Sequence, residues 1–332
     1  MNFQEEKKYI GDLSQLFNIK EYTLTDGFAT GEKALDIETG AGLRFTIALS
    51  RCMDITHLSM RGVNFSFISP CGSVAPQFCS DQGTNFVRSF TGGFLTTCGL
   101  DTAGPPETID GTNLAMHGRI HASPAEQFGW FIEEADGIPE LTVRGKMRQA
   151  VLFGEHLSLQ RQYKVRYNEN KIYMRDTVIN DAYRQQPHMI LYHFNLGYPL
   201  LCEDCVISIP STNITPRDAR AETGLSSCLK VESPQENYQE MCFFHETVAD
   251  DIGRTKIGIF NPKLNTGFHI SYSADTLTEL IQWKMMNQGE YVMGLEPANT
   301  RMMGREKEKA AGRLKMLEQG QKVIYDFEID IM

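Results

Sequence analysis

The sequence lacks the features of a membrane, nucleic-acid-binding or exported protein. It has no apolar run of 18 residues, which a membrane-spanning helix needs. Its formal net charge is −10, and its one dense charge cluster, residues 301–309, mixes both signs. No basic patch therefore marks a binder of nucleic acids or anionic membranes. The first residues, MNFQEEKKYI, lack the apolar segment of a signal peptide. We therefore expect a cytoplasmic protein with neither nucleic-acid nor membrane partners.

Cysteine is sparse, and the common cofactor motifs are missing. Eight irregularly spaced cysteines among 332 residues suit reduced thiols better than a disulfide framework. Cys202 and Cys205 form a CxxC motif, but no second pair follows to complete a zinc ribbon. No GxGxxG follows a predicted strand, and neither GxxxxGKS/T nor GxSxG occurs. The sequence predicts neither a metal nor a cofactor.

Helical periodicity is also scarce. Short runs of alternating apolar and polar residues, bounded by Gly, Asn, Asp and Pro, predict about twenty strands. An α/β fold would need helices between strands, and a propeller would show a repeat of about 40–50 residues. The pattern fits neither and indicates an all-β fold, for which we favour a sandwich over a jelly roll or a propeller. We predict a large two-sheet antiparallel β-sandwich with few short helices, in which residues 1–18 form an N-terminal arm and residues 19–332 a single domain.

The most informative strand is predicted at Met189–Leu201, MILYHFNLGYPLL. Alternation puts its aromatic and aliphatic residues at 192, 194 and 196 on one face. The other face carries His193, Asn195 and Gly197. It therefore combines an imidazole, an amide and a position without a side chain. This pattern predicts a strand that packs on the core and lines a pocket, with His193 as a proton donor. A hydrogen-bonded core histidine is the alternative.

A second polar strand is predicted at Leu114–His121, LAMHGRIH. Alternation would put His117, Arg119 and His121 on one face, as the wall of a site that binds hydroxyls or an anion. A solvated edge strand is the alternative. The spacing of His117 and His121 on a strand, roughly 13 Å, argues against a shared metal ion.

Three further polar residues are candidates for a site. Glu296 lies at the end of an apolar strand, where a carboxylate is paired with a cation, exposed to solvent or part of a functional site. A salt bridge to Lys284 or Arg301 is the alternative to a functional role. Lys284 shares a predicted strand face with a glutamine. Asp101 begins a Gly/Pro-rich loop directly after a strand, a usual place for a ligand-binding acid.

Several segments resemble one known family. FTGGFLTTCGLDTAGPP, LAMHGRIHASPAE, ILYHFNLGYPLL and YVMGLEPANTRMMGR are similar to the DUF4432 group of aldose 1-epimerase-like proteins, in the galactose mutarotase-like superfamily. The resemblance runs in order over nearly the whole chain. It implies a galactose mutarotase-like supersandwich that binds a sugar on the concave face of one sheet. It also implies that His193 is the general acid, Glu296 the general base and His117 a second histidine that contacts the sugar. Arg119 departs from the group's motif, which has glycine there, and suggests a charged or unusually oxygenated sugar.

The expected activity is an isomerase reaction of the aldose 1-epimerase type. An ionised Glu296 and a protonated His193 would open and close the ring of a monosaccharide or sugar derivative. Alternatives are another carbohydrate isomerase, epimerase or lyase, or a non-catalytic carbohydrate-binding protein. A monomer or homodimer is expected, and the identity of the sugar stays open. The expected substrate-binding residues are His117, Arg119, Asp101, Asn195 and Lys284.

Overall fold

The computed structural model describes residues 3–332, in which 24 strands are joined by turns and three short α-helices. The first half contains β1 (Asn18–Thr23), β2 (Lys33–Glu38), β3 (Leu43–Ala48), β4 (Asp54–Met60), β5 (Val63–Asn64), β6 (Phe67–Ile68), β7 (Gly92–Gly93), β8 (Leu95–Leu100), β9 (Glu107–Ile109), β10 (Thr112–Leu114), β11 (Glu126–Ala135), β12 (Ile138–Ala150) and β13 (His156–Arg166). The second half contains β14 (Lys171–Asn180), β15 (Gln186–Leu196), β16 (Val206–Ser208), β17 (Ser211–Pro216), β18 (Met241–Thr247), β19 (Arg254–Asn261), β20 (Thr266–Ser273), β21 (Glu279–Asn287), β22 (Glu290–Ala298), β23 (Lys315–Leu317) and β24 (Lys322–Ile331). The helices are α1 (Phe3–Glu6), α2 (Ala219–Glu222) and α3 (Arg305–Ala310).

Two large antiparallel sheets form the body of the fold. The eight-stranded sheet has the order β11-β12-β13-β14-β24-β20-β19-β16. The seven-stranded sheet has the order β17-β18-β21-β22-β15-β23, and β8 also pairs with β15. Strands β1 to β5 form a separate five-stranded sheet. The predicted all-β fold with two large antiparallel sheets and few short helices is confirmed.

The core lies between the two large sheets, and β15 contributes one face to it. The ring of Tyr192 lies 4.5 Å from that of Phe327 on β24, and the ring of Phe194 lies 5.8 Å from the same phenylalanine. Packing against Phe94 and Phe268 extends this aromatic layer. Because one face of β15 is committed to the core, the opposite face, which carries His193, points away from it.

A buried arginine holds the strands together beneath β15. The fully buried guanidinium of Arg161 donates to Asp54 at 2.6 Å and to Asp176 at 2.6 and 2.8 Å. The hydroxyl of Tyr192 donates to the same Asp176 carboxylate at 2.8 Å. A buried arginine is tolerated only when its charge is paired and its N–H groups are satisfied. This network therefore sets the position of the strand on which His193 lies.

A second buried arginine holds the loops above that strand. The guanidinium of Arg51 donates to the backbone carbonyls of Val74, Ser89 and His121. It thereby ties the ends of two loops, residues 69–91 and 115–123, to the start of β4. No helix within residues 3–332 is long and apolar enough to cross a membrane.

Candidate active site

A cavity of about 420 Å³ opens on the face of the seven-stranded sheet that points away from the core. This volume falls in the range of roughly 300–1,000 Å³ that small-molecule sites occupy. Strands β15, β18, β21 and β22 form its floor, and the loops that Arg51 holds form one wall. The residues that matter for its chemistry are Phe86, Phe90, His117, His193, Arg217, Glu240, Cys242, Trp283, Glu296, Arg301 and Lys307.

The floor of the cavity brings His193 and Glu296 together. Strands β15 and β22 pair so that Leu191 faces Ala298 and Phe194 faces Leu295, and this register puts His193 directly across from Glu296. The Nε2 of His193 lies 3.2 Å from Oε1 of Glu296, and both side chains are buried. The alternative for Glu296, a salt bridge to Lys284 or Arg301, is not formed, because these two pair with Glu232 and Glu279.

A glycine makes room for the Glu296 carboxylate. A Cβ atom built on Gly294 would lie 2.3 Å from Oε1 of Glu296. Gly294 is two residues before Glu296 on the same face of β22, so any side chain there would occupy the space of the carboxylate. The GLEP segment thus supplies both the carboxylate and the space for it.

Burial pushes both members of the pair toward their neutral forms. The pKa of His193 is lowered to about 3. Burial is the largest cause, the nearby His117 adds to it, and the Asn195 amide opposes it. Burial also raises the pKa of Glu296 well above its usual range, Glu240 adds to this, and Arg217 opposes it. The cause is the cost of holding a charge away from water. These shifts favour a neutral imidazole at His193 and a protonated carboxyl at Glu296, the reverse of the charges that the sequence led us to expect.

Two histidines of the cavity differ from the core histidine His188 in the hydrogen bonds of their ring nitrogens. Both nitrogens of His188 have partners, the Leu100 carbonyl at 3.0 Å and the Tyr325 hydroxyl at 2.8 Å. By contrast, Nδ1 of His193 and Nδ1 of His117 are buried without a hydrogen-bond partner. Unpaired buried polar atoms are costly and therefore uncommon. The unpaired nitrogen of His193 favours a functional role over the alternative of a hydrogen-bonded core histidine.

Aromatic rings fix the imidazole of His193 in place. Its ring centroid lies 5.3 Å from that of Phe90 and 5.3 Å from that of Trp283. The ring of His117 lies 6.2 Å away, and Phe86 packs against His117 at 4.9 Å. The rings of Phe90 and Trp283 therefore shield the imidazole from water, which explains the strength of the desolvation.

The segment around His117 is a tight turn, and the prediction of a strand over Leu114–His121 is wrong. Strand β10 ends at Leu114, His117 and Gly118 have φ values of 57° and 71°, and Ile120–Ala122 form a 3₁₀ turn. A Cβ on Gly118 would lie 2.1 Å from the Gly99 carbonyl oxygen, so the turn requires glycine there. The turn directs His117 into the cavity.

The same turn sends Arg119 elsewhere. Its guanidinium pairs with Asp81 at 3.2 Å and with Glu155 at 3.5 Å, and it does not line the cavity. The strand argument against a shared metal ion also loses its basis, because His121 lies on a turn. Residues 3–332 nevertheless contain no group of three or more His, Cys, Asp or Glu side chains that could hold a metal ion.

Asp101 and Lys284 also lie outside the cavity, contrary to expectation. Asp101 accepts hydrogen bonds from Gln149 and from Arg305, and so fastens the loop before α3. Lys284 is buried against Glu232 at 2.6 Å. It follows Trp283 on β21, and since Trp283 faces the cavity, alternation turns Lys284 to the opposite side.

Asn195 shares the face of His193 but is covered by another segment. Its amide donates to the carbonyls of Gly92 and His193, at 3.0 and 2.8 Å. A Cβ on Gly197 would lie 2.6 Å from the Ser66 carbonyl oxygen. Residues 66–67 and 92 therefore fill the space that we expected a ligand to occupy, and Asn195 supports His193 from below.

Comparisons with known proteins agree with this architecture. The model of one family, described as a domain of unknown function (DUF4432), matches residues 29–331. The chain belongs to the DUF4432 family. A search of curated proteins finds no match.

Solved structures with the same fold include several sugar-epimerase relatives. A Klebsiella pneumoniae subsp. pneumoniae MGH 78578 protein, named provisionally as an aldose 1-epimerase, has a TM-score of 0.90 at 24% identity over 98% of this chain and 86% of its own. A galactose mutarotase-like protein from Clostridium acetobutylicum has a TM-score of 0.69 at 13% identity over 96% of this chain and 99% of its own. Galactose 1-epimerase from Lactobacillus acidophilus NCFM has a TM-score of 0.59 at 12% identity over 95% of this chain and 99% of its own. The fold is therefore galactose mutarotase-like.

The DUF4432 chain also carries a charged wall that the sequence did not reveal. Arg217 donates to Glu240 at 2.9 Å, and the indole N–H of Trp283 donates to the other oxygen of Glu240 at 2.8 Å. These residues follow β17, precede β18 and lie on β21, and the pairing of these strands brings them together. Trp283, one of only two tryptophans, was the one signal of this wall in the sequence.

Proposed function

We propose that this chain is an aldose 1-epimerase-like mutarotase, an isomerase that interconverts the anomers of a monosaccharide or sugar derivative. The observation that carries the proposal is the buried pair of His193 and Glu296, which are 3.2 Å apart at the floor of a cavity with aromatic walls. A pair of acid–base groups that shares one proton can take a proton from one substrate oxygen and give one to another.

The proposed reaction needs two proton transfers. In the resting site Glu296 holds the proton, and its transfer to His193, 3.2 Å away, gives the reactive form. Glu296 then removes the proton of the C1 hydroxyl while His193 protonates the ring oxygen, and the C1–O5 bond breaks to give the open-chain aldehyde. Rotation about C1–C2 presents the other face of the aldehyde. The O5 hydroxyl then attacks C1 and gives its proton to His193, while Glu296 protonates the former carbonyl oxygen to give the new C1 hydroxyl. Each residue ends the cycle in the protonation state in which it began.

The electrostatics of the site favour ring opening once the charged reactive form has been made, although burial opposes the formation of that form. Opening converts an ionised Glu296 and a protonated His193 into a neutral pair. Burial favours that neutral pair, as the pKa shifts of both residues show. Acid–base catalysis of this type contributes roughly 10²–10⁴-fold, which is enough for a reaction that already proceeds slowly in water.

The fold comparisons support a sugar as the substrate. The structures from Klebsiella pneumoniae and Lactobacillus acidophilus bear the names of sugar 1-epimerases. His117, with its unpaired ring nitrogen on the cavity wall, is our proposed contact to a sugar hydroxyl. Because Arg119 lies outside the cavity, it no longer argues for a charged sugar.

The experiment is a measurement of anomer exchange. Neutral hexoses, uronates, sugar phosphates and sulfosugars are first screened for stabilisation of the protein, since a ligand raises the melting temperature by mass action. NMR magnetisation exchange between the anomers of each stabilising sugar is then recorded with and without protein. We expect acceleration for one sugar class. Tight binding with exchange at the background rate would identify a binding protein instead, and incorporation of deuterium at C2 or C5 would identify a different isomerase.

A further inference from the structure

Cys202 and Cys205 form a close thiol pair in the connection from β15 to β16. Their Sγ atoms lie 3.8 Å apart. β15 belongs to the seven-stranded sheet and β16 to the edge of the eight-stranded sheet, so the pair lies where the chain crosses between the two. All eight cysteines are free thiols in this structure. The function proposed above makes no use of this motif.

The two thiols have different surroundings. Cys202 is partly exposed, and its Sγ accepts a hydrogen bond from the amide of Asn261 at 3.1 Å. Cys205 is buried, and its thiol donates to the Leu200 carbonyl at 3.0 Å. Burial raises the pKa of Cys205 to about 12. The accessible sulfur of Cys202, which accepts a hydrogen bond, is therefore the better nucleophile toward an external disulfide. The buried thiol of Cys205 can react only with a sulfur already attached to Cys202.

We propose that Cys202 and Cys205 are a redox-active dithiol that a low-molecular-weight disulfide such as oxidised glutathione converts to an intramolecular disulfide. Cys202 is the attacking residue and Cys205 the resolving residue. Thiol–disulfide exchange requires a mixed disulfide and a second thiol within reach of it. A separation of 3.8 Å between the sulfurs meets the second condition after rotation of the two side chains.

The exchange balances in two steps. The Cys202 thiol loses its proton, and its sulfur attacks one sulfur of oxidised glutathione; that S–S bond breaks, and one glutathione thiolate leaves. The Cys205 thiol then loses its proton to water and attacks Sγ of Cys202, which releases the second glutathione thiolate. Two protein thiols are oxidised to one disulfide, and one glutathione disulfide is reduced to two thiols.

The surroundings favour a disulfide over a metal site. A structural zinc ion needs four ligands, and no group of three or more potential ligands exists within residues 3–332. The carboxylate of Asp204 lies 4.0 Å from Sγ of Cys202 but is already paired with Lys263 at 2.5 Å.

The test treats the full chain, first reduced, with oxidised glutathione, blocks remaining thiols with iodoacetamide and maps the peptides by mass spectrometry. We expect wild type to form a Cys202–Cys205 disulfide without a retained glutathione. The Cys205→Ala variant should retain one glutathione on Cys202, and Cys202→Ser should retain none at Cys205. Cys71→Ser, which removes a partly exposed thiol elsewhere, is the matched control and should behave as wild type.

Several results would overturn the proposal. These are a stable glutathione adduct on wild-type Cys202, alkylation of both thiols after treatment, or a disulfide that joins other cysteines. The peptide map of wild type decides the question even if a variant at the buried Cys205 does not fold. Treatment with dithiothreitol should restore both alkylatable thiols, and failure to do so would exclude a reversible dithiol.

Discussion

At the scale of single residues, desolvation dominates the chemistry of the cavity. His193 and Glu296 each lose the water that would stabilise a charge, and their pKa values move in opposite directions as a result. Between the lowered pKa of His193 and the raised pKa of Glu296, both groups are neutral and the two together hold one exchangeable proton. Their placement across from each other on β15 and β22 brings the neutral imidazole next to the protonated carboxyl.

The pH profile of kcat/KM should reveal this pairing. The active form carries one proton, so activity is lost at low pH only when His193 takes up a second proton, near its pKa of about 3. Activity is lost at high pH when Glu296 releases the shared proton, above the usual pKa of a glutamate. We expect no loss of kcat/KM between about pH 7 and about pH 5. A decline over that interval with an apparent pKa near 6.5 would contradict the pairing; circular dichroism at each pH is the control for folding.

His117 and Arg119 should behave differently although they are two residues apart. His117→Ala removes our proposed hydrogen bond to the sugar, worth about 0.5–1.5 kcal/mol, and should lower kcat/KM about 2- to 13-fold. Arg119→Ala breaks only ion pairs with Asp81 and Glu155 outside the cavity, so kcat/KM should be unchanged. Steady-state kinetics on both variants distinguishes these outcomes. Equal losses for the two would show that Arg119 reaches the substrate.

At the scale of elements, the register of two strands creates the site. Strand β22 supplies Glu296 and, two residues before it, the space that its carboxylate fills. Strand β15 supplies His193 on one face and the core contacts of Tyr192 on the other. Any shift by one residue would exchange these faces. The buried pairs of Arg161 with Asp54 and Asp176 oppose such a shift from below.

Gly294→Ala tests the space for the carboxylate. The new methyl group would lie 2.3 Å from Oε1 of Glu296, and the flexible carboxylate would move rather than the backbone. A displacement of about 1 Å can cost about 100-fold in rate, so kcat should fall by about that factor with little change in melting temperature. Gly129→Ala, in strand β11 with open space around it, should change neither quantity. Full activity of a folded Gly294→Ala variant would show that the position of the Glu296 carboxylate does not depend on the space at residue 294.

Sequence periodicity predicted the strand elements better than the turns. The alternation in Met189–Leu201 identified β15 and both of its faces, because every second side chain of a strand lies on the same side. The strand itself spans Gln186–Leu196, so residues 197–201 lie beyond its end. The same logic failed at Leu114–His121, since alternation does not reveal that His117 has a positive φ. Positive φ outside glycine is uncommon, and Gly118 was the one local sign of a turn.

Long-range pairing was beyond the reach of the sequence. His193 and Glu296 were each identified, but the register that makes them neighbours depends on strands about 100 residues apart in the chain. Asn195 was expected to contact a ligand because nothing in the sequence showed that residues 66 and 92 cover it. Arg217 and Glu240 became a wall of the cavity only through the pairing of β17, β18 and β21.

At the scale of the whole molecule, the sandwich buries many ionisable groups. Seven of the eight histidines have a lowered pKa, with burial as the first cause in each. Three carboxyl groups, those of Glu32, Asp54 and Glu296, have a raised pKa for the same reason. Folding therefore changes the proton affinity of the chain, and its stability depends on pH.

The free energy of unfolding should fall as the pH drops from about 7 to about 5. Between the unfolded pKa of a histidine, about 6.5, and a folded value near 4, the unfolded chain binds a proton that the folded chain does not. The carboxyls with raised pKa act in the opposite direction but are fewer. Urea denaturation at about pH 7, 6 and 5 measures the effect, and a free energy of unfolding that rises toward acid would contradict it.

The most direct test of the central claim is anomer exchange by the Glu296→Gln and His193→Asn variants. The substrate is the sugar that wild type interconverts fastest, and NMR magnetisation exchange reports the rate. If the two residues are the acid–base pair, each substitution removes one proton transfer and should lower the catalysed rate about 10²–10⁴-fold, while melting temperature and circular dichroism confirm a folded chain. A folded Glu296→Gln variant that exchanges anomers at the wild-type rate would contradict the account.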